Sequence, residues 1–171
     1  PYGPNQRLIV GMSLLAALLA GISLALLLER LDNTVKTSHE VETRLGVPVL
    51  GVLNITRVTK GMQLERVFLE DPQTSFSEAI RTIRSGVMLS SIDSPKKIVL
   101  VTSSVPEEGK TTVAANLAFA LGQVKKTLLI DADMRRPKIG RVLGGANSNL
   151  LGLSQLVTGE AALERCIYPV A

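Results

Sequence analysis

The sequence predicts an α/β protein with a partial parallel sheet, preceded by one transmembrane helix. Residues 8–28 carry no charge and are long enough to cross a bilayer as a helix. An apolar, β-branched run at 98–101 is followed by a loop and then by thirteen residues with helical spacing. A second short apolar run, within 125–137, ends in two acids. Strand, loop and helix in this order are typical of parallel sheets.

The composition narrows the class of protein. Of 171 residues, 46% are apolar and only 3% are aromatic, so the apolar content is aliphatic. The net charge of +4 is modest, and no interleaving of basic and aromatic residues suggests nucleic-acid binding. The single cysteine, Cys166, forms no internal disulfide and fits a reducing compartment.

Residues 8–28 form the predicted membrane segment. They include nine leucines, and a helix of this length spans roughly 31 Å. A signal peptide fits less well, because Glu-Arg-Leu-Asp follows the run where a small-residue cleavage site would be needed. One basic residue precedes the helix, whereas Arg30, Lys36 and Arg44 follow it. The positive-inside rule therefore places the carboxyl side in the cytoplasm.

Further elements are predicted on both sides of the central loop. A short polar helix within 31–54 ends at Gly46 and is followed by a small strand. A helical piece near 64–69 lies in a linker, and an amphipathic helix covers 75–90. Beyond Pro137 we expect short helices and glycine turns.

Residues 104–111, SVPEEGKT, match a phosphate-binding P-loop except that Ser104 replaces the first glycine of G-x-x-x-x-G-K-[ST]. The strand before the loop and the helix after it give this match its structural context. The amides from Gly109 onward can surround phosphate oxygens at the positive end of the helix dipole. Lys110 would reach the β- and γ-phosphates, and the Thr111 hydroxyl would bind Mg²⁺.

Asp131 and Asp133 end the second apolar run. Alternation along an extended segment puts both on one side, at the carboxyl end of the strand, where open α/β sheets bind ligands. One carboxylate would hold Mg²⁺ through water while the other accepts a proton from an attacking hydroxyl or water. A solvated loop start is the alternative interpretation, because aspartate is common in loops.

These two motifs resemble those of the bacterial tyrosine kinases of capsule and exopolysaccharide export. That family pairs a Walker A loop with a second acidic motif, Walker A′, of the form apolar-D-x-D-x-R-[RK]-P, which reads LLIDADMRRP here. The family often replaces the first P-loop glycine, as Ser104 does, whereas Glu107 stands where a small residue is common. Partition and septum-positioning ATPases of the MinD and ParA kind carry a signature lysine where this chain has Val105, which argues against that class.

The resemblance implies a membrane-anchored, ATP- and Mg²⁺-dependent protein-tyrosine autokinase that regulates polysaccharide polymerisation or export. It implies that Lys110, Asp131 and Asp133 are catalytic and that Thr111 and Asp131 hold the metal. The implied cofactor-binding residues are Ser104, Pro106, Glu108, Gly109, Lys110, Thr111, Thr112 and Arg135. The alternative is a non-enzymatic scaffold that sets polysaccharide chain length, against which the intact Gly-Lys-Thr and Asp-x-Asp argue.

Glu78, Arg81 and Arg84 form an E-x-x-R-x-x-R pattern before the P-loop strand. The residues alone predict a solvated helix face with an i,i+3 ion pair. The resemblance implies instead an interface that packs subunits into a homo-oligomeric ring. It also implies the bacterial inner membrane as location, with the kinase portion in the cytoplasm, and as partners the polysaccharide polymerase and export machinery and a cognate phosphatase.

The predicted organisation has three parts. Residues 1–30 hold an extracytoplasmic proline-containing segment and the transmembrane helix, residues 31–73 a juxtamembrane linker, and residues 74–171 the N-terminal part of a P-loop tyrosine kinase domain. The family's third strand, with its Walker B aspartate, and its tyrosine-rich tail have no match in the sequence. We therefore expect the chain to be part of a longer kinase, truncated before Walker B, and to be inactive alone.

Overall fold

A computed structural model describes residues 6–31, 37–54, 63–92, 97–143 and 151–170. The chain divides into two compact units, Pro1–Pro48 and Val49–Ala171. The first unit contains helices α1 (Gln6–Leu31) and α2 (Ser38–Leu45). The second contains α3 (Val67–Glu70), α4 (Ser75–Leu89), α5 (Lys110–Gly122), α6 (Ile139–Leu143) and α7 (Leu153–Val157), with 3₁₀ helices at Leu64–Arg66 and Leu163–Arg165.

Helix α1 coincides with the predicted membrane segment. Among the described residues, Arg7–Leu31 is the one helix that is long and apolar enough to cross a membrane. None of its most apolar stretch is buried against protein, so its leucine side chains are exposed. Its charged residues lie in the first and last turns, as expected for a helix whose centre is in hydrocarbon.

Helix α2 ends at Gly46, as predicted. The Thr37 hydroxyl caps its start by accepting the Glu40 amide (3.3 Å). Gly46 closes it in the left-handed conformation (φ 65°), and its amide donates to the Glu42 carbonyl (2.8 Å). No residue of α2 is buried, so these local caps and an Arg44–Glu40 ion pair (2.7 Å) define the helix.

The core of the second unit lies between α3, α4 and α5. Its main cluster consists of buried apolar side chains from all three helices: Val67, Phe68, Phe76, Ile80 and Ala120. Phe76 and Ile80 belong to the apolar face that the periodicity of α4 predicts. The helical piece that was predicted near 64–69 packs against α5. The second compact unit begins at Val49, and the domain boundary predicted at residue 74 stays a prediction.

Asn116 on α5 is a fully buried polar side chain that is hydrogen-bonded to the backbone of this core. Its amide oxygen accepts the Phe68 amide (2.8 Å), and its NH₂ group donates to the carbonyls of Leu64 and Thr112 (2.8 Å each). Both donors and the acceptor of the side chain are therefore satisfied. As a result, the 64–70 segment is hydrogen-bonded as well as packed onto the helix that follows the P-loop.

No strand is present in the parts of the chain that the structure describes. The apolar runs at 98–101 and within 125–137, and the stretch after Gly46, are not assembled into a sheet. Ile98 and Leu100 are consequently 89% and 83% exposed. A β-branched run indicates that a segment prefers the conformation of a half-buried strand. A sheet also requires a second strand that pairs with the first, and the run does not specify which segment supplies it. The predicted parallel sheet therefore stays a prediction.

Candidate nucleotide-binding site

The predicted P-loop leads directly into the first turn of α5, which begins at Lys110. Gly109 adopts a left-handed conformation (φ 85°), and no side chain caps the helix start. A Cβ atom at Gly109 would meet no atom within 4 Å, so open space adjoins the helix end. The Val113 amide is the first that bonds back to a carbonyl, that of Gly109 (2.9 Å). The preceding amides thus project from the positive end of the helix, an arrangement that fits a phosphate group.

Lys110 extends its side chain back along the loop. Its ammonium donates to the Ser103 hydroxyl (2.8 Å) and lies 3.5 Å from the Val105 carbonyl oxygen. The Ser103 hydroxyl donates to that same carbonyl (2.8 Å). The ammonium of the half-buried lysine therefore lies beside the loop that precedes the projecting amides. A chain of phosphates bound to these amides would need a cation there.

Glu108 organises the first half of the loop. Its carboxylate accepts the Val105 amide (3.2 Å) and the Ser104 hydroxyl (3.4 Å). The Val105 amide is the main reason that the pKa of Glu108 is lowered; desolvation opposes this shift, and the Ser104 hydroxyl adds to it. The sequence predicts a cofactor-binding role for Glu108. Its charge would repel phosphate, so what it contributes to such a role is the geometry of the loop.

Glu107 is the one non-glycine residue with a positive φ (67°) among those that the structure describes. The left-handed backbone conformation costs on the order of 1–2 kcal/mol for a residue with a Cβ atom. Glycine would adopt this conformation without that cost, which agrees with the small residue that the resembled family carries here. The glutamate therefore strains the loop at this position.

The carboxylates of Asp131 and Asp133 accept hydrogen bonds from backbone amides in the turn that follows the second apolar run. Asp131 accepts the Asp133 amide on one oxygen (3.2 Å) and the amides of Lys138 and Ile139 on the other (2.9 and 3.0 Å). Asp133 accepts the Arg136 amide (2.9 Å) and is exposed to solvent. Asp131 thus helps to start α6, a role that the apolar-run analysis did not predict.

The remaining predicted site residues lie in two separate segments. In the described parts of the chain, no hydrogen bond or ion pair joins Lys110 to Asp131 or Asp133. Thr111 is half-buried in the first turn of α5, and Arg135 is exposed in the aspartate turn. The described residues contain no cluster of three metal-binding side chains. Thr111 and Asp131 would supply two oxygens at most, which suits Mg²⁺ because it usually takes its other ligands from phosphate and water.

The charged face of α4 makes contacts within the chain. Glu78 and Arg81 form the predicted i,i+3 ion pair, and the Arg81 guanidinium lies 5.4 Å from the centre of the Phe68 ring. Arg84 donates to the Ala120 carbonyl at the end of α5 (3.2 Å). These contacts account for the two arginines within one subunit, and the ring interface stays a prediction.

Two residues of the site region were missed by the sequence analysis. Ser103 lies one position before the P-loop pattern, so no motif includes it, yet it bonds the Lys110 ammonium. Asn116 interrupts the apolar part of α5 that follows Lys-Thr-Thr, and a polar residue on a helical face that must be buried was the available signal.

The Tyr168 hydroxyl forms two hydrogen bonds with the backbone. It accepts the Leu151 amide (2.9 Å) and donates to the Arg165 carbonyl (3.0 Å). A phosphate on this oxygen would remove the bond to the Arg165 carbonyl, because the hydroxyl proton is lost.

Known proteins resemble the chain in sequence. The tyrosine-protein kinase YwqD of Bacillus subtilis is 36% identical over 114 residues, which cover 65% of this chain and 47% of YwqD. The tyrosine-protein kinase Wzc of Salmonella typhimurium is 26% identical over 181 residues, covering 98% of this chain and 25% of Wzc. The succinoglycan biosynthesis transport protein ExoP of Rhizobium meliloti is 26% identical over 95% of this chain and 24% of its own length. The chain thus spans less than half the length of these curated relatives. No protein-family model matches it.

Solved structures agree with these relatives. The kinase domain of the Escherichia coli tyrosine kinase ETK superposes with a TM-score of 0.67 at 26% identity, covering 77% of this chain and 54% of that one. The chimerical protein CapA2B2 superposes with a TM-score of 0.61 at 32% identity, covering 78% and 55%. Sequence and fold therefore make the chain a homologue of the bacterial tyrosine kinases of capsule and exopolysaccharide biosynthesis, as its two motifs predict.

Proposed function

We propose that the chain provides the membrane anchor and the nucleotide-binding loop of an ATP-dependent protein-tyrosine autokinase that regulates polymerisation or export of capsular or extracellular polysaccharide. The observation that carries this proposal is the uncapped start of α5, with projecting amides and the Lys110 ammonium on the adjoining loop. These donors and this charge fit a chain of phosphates. Relatives named as tyrosine kinases and as a succinoglycan transport protein support the substrate class.

The site residues would divide the chemistry between them. Lys110 and the amides at the start of α5 would hold the phosphates of ATP, and Thr111 with Asp131 would hold Mg²⁺, which when bound neutralises phosphate charge. Asp133, exposed on the aspartate turn, would accept the proton of the attacking tyrosine hydroxyl. The other cofactor-binding residues are proposed from the resemblance: Ser104, Pro106, Glu108, Gly109, Thr112 and Arg135.

Phosphotyrosine formation in the intact protein tests this function. With Mg-ATP the wild type should form phosphotyrosine, detected by mass spectrometry. Asp133→Asn should lower the rate by at least about 100-fold, because it removes the proton acceptor, while ATP affinity changes by no more than a few fold. A wild type that binds ATP but never forms phosphotyrosine would favour the scaffold instead. An unimpaired Asp133→Asn variant would remove Asp133 from the mechanism.

Assembly into a ring is the second part of the proposal. Glu78, Arg81 and Arg84 would exchange part of their contacts on α4 for contacts with a neighbouring subunit, so that the tyrosine acceptor comes from that neighbour. Changing all three residues to alanine should shift the protein from oligomer to monomer in light scattering and should lower autophosphorylation with it. An unchanged mass distribution would leave the three residues with the intramolecular roles that their contacts already describe.

The cellular setting follows from α1. We place this helix in the bacterial inner membrane with the nucleotide-binding loop in the cytoplasm, where ATP is available, because the basic residues are more numerous after the helix than before it. The predicted parallel sheet would form from the runs at 98–101 and 125–137 in the assembled kinase domain. The polysaccharide polymerase and export machinery and a cognate phosphatase are the proposed partners.

A further inference from the structure

Among the described residues, Glu108 and Lys110 both contact the backbone of Val105 in the P-loop. Glu108 accepts the Val105 amide (3.2 Å) from one side. On the other side, the Val105 carbonyl accepts the Ser103 hydroxyl (2.8 Å) and lies 3.5 Å from the Lys110 ammonium. The position of Val105 is thus fixed at its amide and at its carbonyl. Its carbonyl in turn fixes the hydroxyl that meets the lysine.

The hydroxyl of Ser103 is the stronger of the two partners of Lys110. Its oxygen lies 2.8 Å from the ammonium, a full hydrogen bond, whereas the Val105 carbonyl is at the limit of hydrogen-bonding distance at 3.5 Å. A serine hydroxyl has one proton and two lone pairs. Because the Val105 carbonyl takes the proton, the lone pairs are left to accept from Lys110.

The hydrogen bond from Lys110 to Ser103 restrains a side chain that loses much conformational entropy when it is ordered. A lysine loses more rotamer freedom than most side chains when it is fixed. If the lysine is already fixed in the free protein, less conformational entropy is lost when the ligand binds. The lysine restrained here is the one beside the projecting amides of α5. The hydrogen bond between Glu108 and the Val105 amide also fixes the loop, but it does not involve the lysine.

We infer that Ser103 is a positioning residue for nucleotide binding: its hydroxyl, oriented by the Val105 carbonyl, holds the Lys110 ammonium extended toward the phosphate site before the nucleotide arrives. This inference rests on the proposed function, since it assigns Ser103 a part in the same nucleotide site. It adds to that site a residue outside the P-loop pattern, which acts through Lys110 and need not contact the nucleotide.

The first test is ATP affinity of the intact protein in detergent, measured by calorimetry. Ser103→Ala should weaken ATP binding about three- to tenfold, since the lysine side chain must then be ordered when ATP binds. Ser103→Thr keeps the hydroxyl and should stay within about twofold of the wild type. Thr102→Ala, which removes the neighbouring exposed hydroxyl, should leave affinity unchanged. Ser103→Cys, nearly isosteric but a weak hydrogen-bond acceptor, should repeat the loss and replaces the alanine variant if that variant fails to fold.

A double-mutant cycle with Lys110→Met separates a positioning role from a merely structural one, with ATP titrated into the millimolar range. If Ser103 acts through Lys110, then Ser103→Ala should have no further effect once the lysine is gone. An equal loss in both backgrounds would overturn the inference, as would a Ser103→Ala variant with wild-type affinity while Lys110→Met is impaired. If instead Lys110→Met itself binds ATP normally, the proposed nucleotide site is wrong, and the inference falls with it.

Discussion

Lys110→Met should weaken ATP binding by at least about 30-fold while leaving the fold intact. The substitution keeps an unbranched side chain but removes the cation that would face the phosphates. The loss of one partner from a charged contact typically costs about 2–5 kcal/mol. The fold should be unaffected, since the polar contacts of the lysine with described residues are to Ser103 and Val105, in a loop outside the core.

Calorimetric titration with Mg-ATP measures this effect, and thermal unfolding checks the fold. Lys126→Met is the matched control, because it removes an exposed lysine four residues after α5 and should leave affinity unchanged. Wild-type affinity in Lys110→Met would reject the assignment of the phosphate-binding lysine.

Asn116→Ala should destabilise the second unit by about 3 kcal/mol. The substitution removes three hydrogen bonds, leaves the buried Phe68 amide without its acceptor, and opens a small cavity beside α3. In thermal unfolding followed by circular dichroism, this loss should lower the Tm by more than about 10 °C. Because α3 is held to α5 through this side chain, the 64–70 segment should also exchange its amide hydrogens faster.

Gln73→Ala is the control for the asparagine, since it removes a side-chain amide that is exposed in the turn before α4. Its Tm should stay within about 2 °C of the wild type, as for most surface substitutions. If Asn116→Ala unfolded at the temperature of this control, the buried hydrogen bonds of Asn116 would not be what holds the 64–70 segment on α5.

Elements fixed by local signals could be predicted from the sequence. Helix α1 follows from an uncharged apolar run, α2 ends at a glycine that adopts the left-handed conformation, and α5 begins directly after Gly109. Each of these signals lies within a few residues of the feature that it specifies. The P-loop pattern could be recognised for the same reason, because it is contiguous, and its nucleotide-binding role stays a prediction.

Features that depend on residues distant in the chain could not be predicted in the same way. Asn116 bonds residues about fifty positions earlier, which no helical periodicity reveals. The apolar run at 98–101 indicates a strand without identifying the segment that would pair with it. Asp131 was predicted as a metal ligand, but the turn that its carboxylate holds together depends on the backbone of residues 133–139.

Hydrogen–deuterium exchange of the loop and the start of α5 tests the central claim most directly, namely that the projecting amides receive the phosphates of a nucleotide. Exchange is followed by mass spectrometry in the intact protein, with and without Mg-ADP. We predict that peptides covering residues 104–113 exchange more slowly when the nucleotide is present, and that this protection is lost in Lys110→Met. Protection elsewhere in the protein, with residues 104–113 unchanged at saturating Mg-ADP, would contradict the claim.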